Sequence, residues 1–499
     1  MKTPRGFWAI VILSTLWLGG QSQSAAPPLF APVKATVPPD APALRNAQAY
    51  QPVRIRWQVV QSLQPGSRVL FNLLEGVNPI GVVERVERRD EQRYSCFGRL
   101  EGLDGSHFIL VVEEDALALF VSTPMYGAVF DLRYYKDDLY VVVQIGEEPP
   151  CGNQENETPP PFDMTPEDAE WHARFANQDF ELAGGDDFGT AACTQPRAVL
   201  DIAVYYTVQA RQAIGGVNQM NARIQLFIDQ CNQAYQNSLV SLRARLVRRL
   251  EVNYPGEGDG NSITQLDHLT NPSDGVMDGI HADRTNYRAD QVVLLVNASD
   301  YCGRAWCGNG SDPERAFGVV RYDCTTYTFP HEIGHNQGCG HDRETDAGCG
   351  FRSYGFGWRF WGNDGVQYRT VMAYEPGTRI PYFSNPDVTY QGVATGVPIG
   401  QPNEAHNAMV ITETRRSRET FRLLDIWVDF GYSGTEVGTF AQPFNTVAEG
   451  VEAITTFVDT ALVEFPTLYI KAGSRAETLT ISKRMRIEAC GGLVRIGAP

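Results

Sequence analysis

The stretch that decides the fold of this chain is HEIGHNQGCGH, which runs from His331 to His341. On a helix, His331 and His335 are four residues apart and share one face, where two imidazoles can hold one metal ion. Glu332 lies beside this pair, so its carboxylate flanks the metal position without being a ligand. Gly338 can adopt the left-handed conformation that ends a helix, and the chain can then return His341 as a third ligand.

Zinc is the ion that this ligand set suits, since imidazole is one of its usual ligands. Three protein ligands leave a coordination position open for water, which is typical of a catalytic site and not of a closed structural one. A purely structural zinc site, or a set of surface histidines, is the alternative interpretation. The chain has only 8 histidines, and a structural site has no use for Glu332, so the catalytic interpretation is preferred.

The same segment matches the HExxHxxGxxH signature and therefore resembles the metzincin zinc peptidases. That family carries a methionine turn below the metal, and RTVMAY at 369–374 is similar to it, with Met372 as the turn methionine. Asp342 resembles the residue that fixes the following turn in the reprolysin or adamalysin branch. Tyr374 resembles the astacin and serralysin tyrosine that binds the oxyanion, with a packed tyrosine as the alternative. Residues 379–386 resemble a wall of the cleft in secreted bacterial peptidases of the reprolysin-like branch.

The resemblance covers about residues 197–424 and implies zinc-dependent hydrolysis of peptide bonds. In that mechanism zinc lowers the pKa of a water towards about 7, and Glu332 acts as general base and then passes the proton to the leaving amine. The implied partners are protein or peptide substrates. A structural calcium ion is unsupported, because the Asp- and Asn-rich residues 271–283 match no calcium-binding loop.

The N-terminus is typical of a secretory signal peptide, which predicts a secreted, extracellular protein. Lys2 and Arg5 precede an apolar stretch from Phe7 to Leu18, and small and polar residues follow it. This stretch is short for a membrane span, so no stable membrane anchor is expected; an uncleaved anchor is the alternative. The formal net charge of −17 argues against nucleic acid as a partner.

Composition changes along the chain predict a multidomain protein. The predicted segments are a signal peptide (1–24), a β-rich propeptide (25–146), an exposed Pro-rich and acidic linker (147–194), a zinc peptidase domain (195–424) and a C-terminal β module (425–499). The peptidase domain is predicted to be α/β, with helices and the metal-binding helix packed on a twisted mixed sheet. Its evidence is strand patterns at 198–206, 240–252 and 291–296 and a helical pattern at 217–236.

The C-terminal module shows short β patterns, at 431–434, 442–446, 468–470, 479–481 and 487–497. Their regular turns look like the first coils of a parallel β-helix, with a small sandwich as the alternative. About 75 residues make only a few coils, and such a stack is marginal by itself.

The 10 cysteines predict disulfides in an oxidising compartment, although their pairing cannot be read from the sequence. Cys302–Cys324 and Cys339–Cys349 are candidate short closures. The family resemblance implies a propeptide that keeps the enzyme latent. Cys151 has a likeness to the cysteine switch of matrix metalloproteinases, in which a thiolate takes the open zinc position; Cys96 is the other candidate, and a disulfide is the alternative.

The sequence therefore predicts a secreted zinc endopeptidase made as a latent proenzyme. One alternative is an inactive peptidase-like protein that binds or adheres to a polymer or surface through its C-terminal module. The intact Glu332 argues against it, since an inactive relative commonly loses that carboxylate first. A second alternative is a zinc hydrolase that acts on a bond other than a peptide bond.

Overall fold

The computed structural model of this protein describes residues 26–152, 193–309, 312–345, 349–456 and 464–497. The predicted signal peptide and residues 153–192 of the predicted linker lie outside the described residues. We call residues 26–152 the N-terminal region, residues 193–424 the central region and residues 425–497 the C-terminal module. Within this described part of the chain, no helix combines the length and the apolar composition needed to cross a membrane.

The N-terminal region is a 9-stranded antiparallel sheet in the order β1-β2-β9-β8-β7-β6-β5-β4-β3. Tight hairpins build it, and the turn residues Glu114 and Asp137 have φ of 56° and 51°, the left-handed backbone that two-residue hairpins require. Its strands and one helix are β1 (Phe30–Pro32), β2 (Ala47–Ile55), α1 (Trp57–Gln61), β3 (Arg68–Leu70), β4 (Ile80–Arg88), β5 (Arg93–Leu100), β6 (His107–Glu113), β7 (Ala116–Thr123), β8 (Ala128–Lys136) and β9 (Leu139–Ile145).

The central region is a mixed α/β layer structure around a 5-stranded sheet in the order β11-β10-β12-β14-β13. The first four strands in that order are parallel, and the edge strand β13 is antiparallel to β14. The elements are β10 (Ala198–Thr207), α2 (Val208–Ile214), α3 (Val217–Asn237), β11 (Leu242–Val252), α4 (Ser262–Thr270), α5 (Gly279–Asn286), β12 (Gln291–Val296), β13 (Gly303–Ala305), β14 (Phe317–Arg321), α6 (Thr328–Asn336) and α7 (Asn407–Glu419).

Strand β12 is buried at every position, as its continuous apolar run predicts for a parallel strand covered on both faces. The predicted strands at 198–206, 240–252 and 291–296 and the predicted helix at 217–236 are present as β10, β11, β12 and α3. Between α6 and α7 lie small two- and three-stranded sheets, formed by β15 (Arg359–Trp361), β16 (Gln367–Arg369), β17 (Thr378–Arg379), β18 (Thr389–Tyr390) and β19 (Val393–Ala394).

One hydrophobic core joins the N-terminal and central regions. Strands β6 and β7 are buried along their whole length. One of their faces packs in the hydrophobic core of the N-terminal region, and the other packs on α3. Ile109 and Phe120 from these strands share a core with Ile224 and Phe227 of α3 and with Ile333 of the metal-motif helix α6. The N-terminal region is therefore seated on the helices that form the site.

The C-terminal module is a three-stranded parallel sheet, β20 (Ile426–Val428), β21 (Thr467–Arg475) and β22 (Arg486–Ile496), covered by α8 (Val447–Ala453). The strand predictions at 468–470 and 487–497 fall on β21 and β22. The β patterns at 431–434 and 479–481 are wrong, since these residues form turns and loops, and in 442–446 only Phe444 forms a β-bridge, with Val428.

Three disulfides are formed among the described residues: Cys193–Cys490, Cys302–Cys324 and Cys307–Cys349. The predicted closure Cys302–Cys324 is confirmed. The candidate Cys339–Cys349 is wrong: Cys349 pairs with Cys307, and Cys339 is a buried free thiol. Cys96, Cys151 and Cys231 are also buried free thiols.

Candidate active site

Helix α6 carries the predicted metal motif at the centre of the molecule, and all its residues from Thr328 to Asn336 are buried. The helix ends at Asn336, and Gly338 follows with φ of +95°, a conformation that favours glycine. A Cβ on Gly338 would also lie 2.8 Å from the Cβ of Phe351. The reversal at Gly338 then turns the chain back, so that His341 faces the helix again.

The Nε2 atoms of the three motif histidines converge on one point. They lie 3.0 Å apart for His335 and His331, 2.8 Å for His335 and His341, and 3.1 Å for His341 and His331. Tetrahedral zinc with Zn–N of about 2.0–2.1 Å places its nitrogens about 3.3 Å apart, close to this arrangement.

Hydrogen bonds on the far side of two of the rings fix the tautomer that a metal needs. His331 donates from Nδ1 to the Val371 carbonyl and His335 from Nδ1 to the Cys339 carbonyl, both at 2.9 Å. Each Nε2 is then an unprotonated donor atom. Burial, followed by the neighbouring His335 and His341, holds the pKa of His331 well below its usual value. Neutral rings with converging lone pairs fit a divalent zinc ion.

Glu332 of α6 lies beside His331, and its side chain faces Gly303 of the edge strand β13. Neither of its buried carboxylate oxygens has a nitrogen or oxygen hydrogen-bond partner among the described residues. Burial raises the pKa of Glu332 to about 8, and contact with the Cys151 thiol and the charges of Arg304 and Arg379 oppose that rise. Gly303 on β13 makes room for it, since a Cβ there would lie about 2.4 Å from Glu332 Oε1.

Met372 forms the floor of the cluster. It is completely buried, and a Cβ on Gly334 of α6 would approach its sulfur to 2.6 Å. Asp342 links this turn to the end of the motif, because its carboxylate accepts hydrogen bonds from the Tyr374 amide at 3.0 Å and from Arg359 at 2.6 Å. The third histidine and the methionine turn are thus held in one rigid unit.

Tyr374 stacks over the cluster with its ring centroid 4.2 Å from that of His341 and 5.9 Å from that of His331. Its hydroxyl donates a hydrogen bond of 2.8 Å to the carbonyl of Cys151. The phenol is therefore at the mouth of the site, and its polar end meets a backbone carbonyl that belongs to the N-terminal region.

Residues 148–152, which we call the inserted segment, cross the site along the edge strand β13. The Pro150 carbonyl accepts a hydrogen bond from the Cys302 amide at 3.0 Å, and the Gly152 amide donates to the Gly303 carbonyl at 2.9 Å. Between them Cys151 is buried, with its sulfur, a ring nitrogen of His331 and a carboxylate oxygen of Glu332 all within 4.8 Å of one another. The first part of the predicted exposed linker is therefore buried at Cys151 and Gly152.

A cavity of about 500 Å³ opens beside the inserted segment. The sequence predicted no individual role for several residues around the site, namely Gly303, Glu148, Thr326, Arg369 and Arg379. The arginines stand in or beside the two segments already associated with the methionine turn and the cleft wall, so their positive charge was a signal in the sequence. Nothing in the sequence indicated that Glu148 would lie at the site.

The central region is similar to known metallopeptidases. Residues 197–384 match the reprolysin-type model of metallopeptidase family M12. A peptidyl-Asp metalloendopeptidase of Stenotrophomonas maltophilia K279a is 38% identical over 247 residues, covering 48% of this chain and 57% of the relative. A protein of the same name from Xanthomonas campestris is 34% identical over 302 residues, covering 59% of this chain and 66% of the relative.

The chain thus spans between 57% and 66% of the length of these two relatives. A solved structure of a chaperone–substrate complex aligns with 46% of this chain and 40% of its own at 20% identity, with a TM-score of 0.37, and this low similarity carries no inference. The match of residues 197–384 to the M12 model confirms the metzincin resemblance of the HEIGHNQGCGH segment.

Proposed function

We propose that this protein is a secreted zinc endopeptidase made in a latent form. The observation that carries the proposal is the convergence of the Nε2 atoms of His331, His335 and His341 to within 2.8–3.1 Å, with the Glu332 carboxylate beside them. Zinc held by these nitrogens would polarise a scissile carbonyl and acidify a water. The match of residues 197–384 to the M12 model and the names of the relatives support the same reaction.

Glu332 has the role of general base and then general acid. Its buried carboxylate is free of nitrogen and oxygen hydrogen-bond partners among the described residues, so it can accept a proton beside the cluster and return it to the leaving amine. Tyr374 has the role of oxyanion donor. Its hydroxyl already donates to one carbonyl oxygen, that of Cys151, and a substrate carbonyl in the same place would be stabilised as negative charge develops on it.

Cys151 is proposed to keep the enzyme latent. The inserted segment occupies the edge of β13 with backbone hydrogen bonds and places the Cys151 sulfur next to His331 and Glu332. A peptide substrate that used this edge would have to displace it. Cleavage between residues 153 and 192 is the proposed activation step, since it would separate the inserted segment from the central region in sequence.

Secretion and substrate preference complete the proposal. Disulfides persist in oxidising compartments, and three are formed here, which together with the signal-like N-terminus supports an extracellular protein. The relatives are named peptidyl-Asp metalloendopeptidases. By analogy, we propose that peptides with an acidic residue at the cleavage site are substrates of this chain.

The test of catalysis is Glu332→Ala in the chain cut within 153–192, with casein hydrolysis and zinc content measured together. We expect hydrolysis to fall by about 10²- to 10⁴-fold, the usual contribution of a general base, while one zinc per chain is retained. Glu251→Ala is the matched control, because Glu251 is a partly exposed carboxylate that pairs with Arg211 outside the site. Full zinc with no activity in the parent chain would favour the inactive binding protein instead.

The test of latency is Cys151→Ala in the uncut chain. We expect its hydrolysis of casein to rise about 10- to 100-fold over the uncut parent, because the inserted segment loses the side chain nearest the cluster. Cys96→Ala is the matched control, since Cys96 is a buried free thiol in the same region that does not lie at the site. If both cysteine variants were as latent as the parent, the proposed role of Cys151 would be contradicted. The proposed role of Glu332 as general base would not be affected.

A further inference from the structure

The cavity beside the inserted segment is lined by charged residues of both signs, and two of its three glutamates, Glu147 and Glu148, come from the N-terminal region, while Glu375 comes from the central region. Two arginines, Arg369 and Arg379, line it together with Tyr374 and Thr326. Arg369 ends β16 before the methionine turn, and Arg379, which pairs with it in register, ends β17 after the turn. Neither arginine is used by the proposed proton transfers, so their presence beside the reacting centre calls for another explanation.

Arg379 lies close to the catalytic groups without an acidic partner. Its Nη1 donates to the Thr326 carbonyl at 2.9 Å, and its Nε is buried with no hydrogen-bond partner. Among the residues that the structure describes, no carboxylate lies within ion-pair distance of it. Arg379 lines the same cavity as Tyr374 and Cys151, the two residues that adjoin the histidine cluster.

Arg369 is held by the backbone and only weakly neutralised. It donates to the carbonyls of Gly377 at 2.8 Å and Ala373 at 2.9 Å, and the carboxylate of Glu375 is 3.6 Å away and largely exposed. Burial, and after it the charge of Arg379, lowers the pKa of Arg369 to about 9. Two neighbouring cations that are both partly desolvated would be stabilised by an incoming negative charge.

The protein already places carboxylates of its own in this cavity, and one of them is held by hydrogen bonds. Glu148 of the inserted segment accepts hydrogen bonds from the Thr325 amide at 2.9 Å and the Thr326 amide at 3.4 Å, and from the Thr326 hydroxyl. Its charge also acts on Arg369. The lining can therefore accommodate an acidic side chain while the inserted segment is in place.

The geometry points to Arg379, with Arg369 beside it, as the specificity-determining residue that binds the acidic side chain of a peptide substrate. This assignment rests on the proposed peptidase function for its biological meaning. A guanidinium offers a planar, two-pronged donor set that matches a carboxylate, whereas a lysine or arginine side chain of a substrate would meet two positive charges. The same lining gives an amide side chain hydrogen bonds without the attraction of charge.

The experiment measures binding separately from hydrolysis. The full chain carrying Glu332→Ala is loaded with zinc and cut within 153–192 with nothing removed. Two short fluorescent peptides that differ only in a central Asp or Asn are then titrated by anisotropy. The inserted segment competes with both peptides alike, so the ratio of their dissociation constants reports the preference for the charge.

We expect the Asp peptide to bind about 10- to 100-fold more tightly than the Asn peptide, the range of a charge-assisted hydrogen bond. Adding Arg379→Gln should reduce that ratio to about threefold or less and leave Asn binding nearly unchanged. Arg379→Lys keeps the positive charge and should retain most of the preference. Arg211→Gln, which removes a guanidinium that does not line the cavity, should leave the ratio intact.

The assignment is overturned if the parent binds no Asp peptide, shows no preference, or keeps its preference in Arg379→Gln. The proposed function is judged by a different readout, the hydrolysis of the same peptides by the chain with Glu332 intact. Selective binding without hydrolysis would defeat the peptidase proposal and leave the acidic subsite standing. Hydrolysis without a preference for the Asp peptide would support the peptidase proposal and defeat the acidic subsite.

Discussion

The N-terminal region and the C-terminal module are both β structures that sit on the same central region, but they are attached in different ways. The first shares an apolar core with it, in which Phe120 and Ile109 meet the helices α3 and α6. The second has a separate small core and is joined by the disulfide Cys193–Cys490 and by ion pairs such as Arg243 with Glu464.

The difference extends to the site. The N-terminal region sends the inserted segment along β13 and into contact with the histidine cluster, whereas no described residue of the C-terminal module lines the cavity. A shared apolar core couples the stability of the N-terminal region to that of the site helix. A covalent tether with polar contacts keeps the C-terminal module attached without such coupling. If the proposed latency holds, the N-terminal region would control the site, whereas the C-terminal module would only be attached to the central region.

The largest expected effect comes from Phe120→Ala, which attacks the shared core. Phe120 is fully buried on β7, and its ring meets that of Tyr327, the residue before α6, edge to face at 5.5 Å. Removing it should cost about 3–5 kcal/mol, the range for a buried phenylalanine. We expect a lower free energy of opening for the β6 and β7 amides in hydrogen exchange, together with raised activity of the uncut chain.

Leu468→Ala provides the matched change in the C-terminal module. Leu468 is fully buried on β21 in the separate core, so its loss should also destabilise, by about 2–5 kcal/mol, but only locally. The activity of the uncut chain should stay at the parent level. If Leu468→Ala released activity as strongly as Phe120→Ala, the distinction between control and attachment would collapse.

The parts of this molecule that the sequence could predict are those where neighbours along the chain decide the outcome. Histidines at 331 and 335 must share a helical face, and the apolar run 291–296 must be a buried strand, so both were predicted. The disulfide partner of Cys349 could not be predicted, because Cys307 becomes its neighbour only through the turn after α6. The C-terminal β patterns at 431–434 and 479–481 failed, since turn residues flank apolar ones in loops as well as in strands.

The contacts of the inserted segment could not be predicted for the same reason, because they join residues that are distant in the sequence. Cys151 was a candidate from its own short motif, yet its contact with Glu332 depends on how a nine-stranded sheet is seated on α3. The charges of Arg369 and Arg379 were visible in the sequence. Their shared cavity was not, because it is closed by Glu148 and its neighbours from the other side.

A pH change tests the shared core with a smaller effect. His107 on β6 is buried, its Nε2 lies 2.5 Å from the hydroxyl of Tyr327, and burial lowers its pKa to about 4. Above the unfolded pKa of 6.5 the ring is neutral in the docked and the opened state, so docking has its full stability. As pH falls from 6.5 to about 4, only the opened state takes up a proton, and docking should lose about 3 kcal/mol at most.

The measurement is the opening free energy of the β6 and β7 amides at pH 7 and at pH 4.5. Asp229 on α3 works in the opposite direction, because burial raises its pKa to about 6 and favours the docked state on acidification. The comparison of the parent with His107→Gln removes that background, since both chains contain Asp229. An acid-induced loss of the same size in both chains would show that His107 is not the group that senses pH at this joint.

The smallest expected effect tests the polar joint of the C-terminal module. Arg243 holds Glu464 with two hydrogen bonds of 2.8 and 2.9 Å, but both side chains are more than a third exposed, at 37% and 41%. A double-mutant cycle of Arg243→Gln and Glu464→Gln should therefore give a coupling energy below about 1 kcal/mol in urea unfolding, and less at high salt. Activity should not change in any of these variants. A coupling well above that value would mean that this joint is energetically comparable to the apolar one, and the C-terminal module would then have to be treated as part of the same cooperative unit as the site.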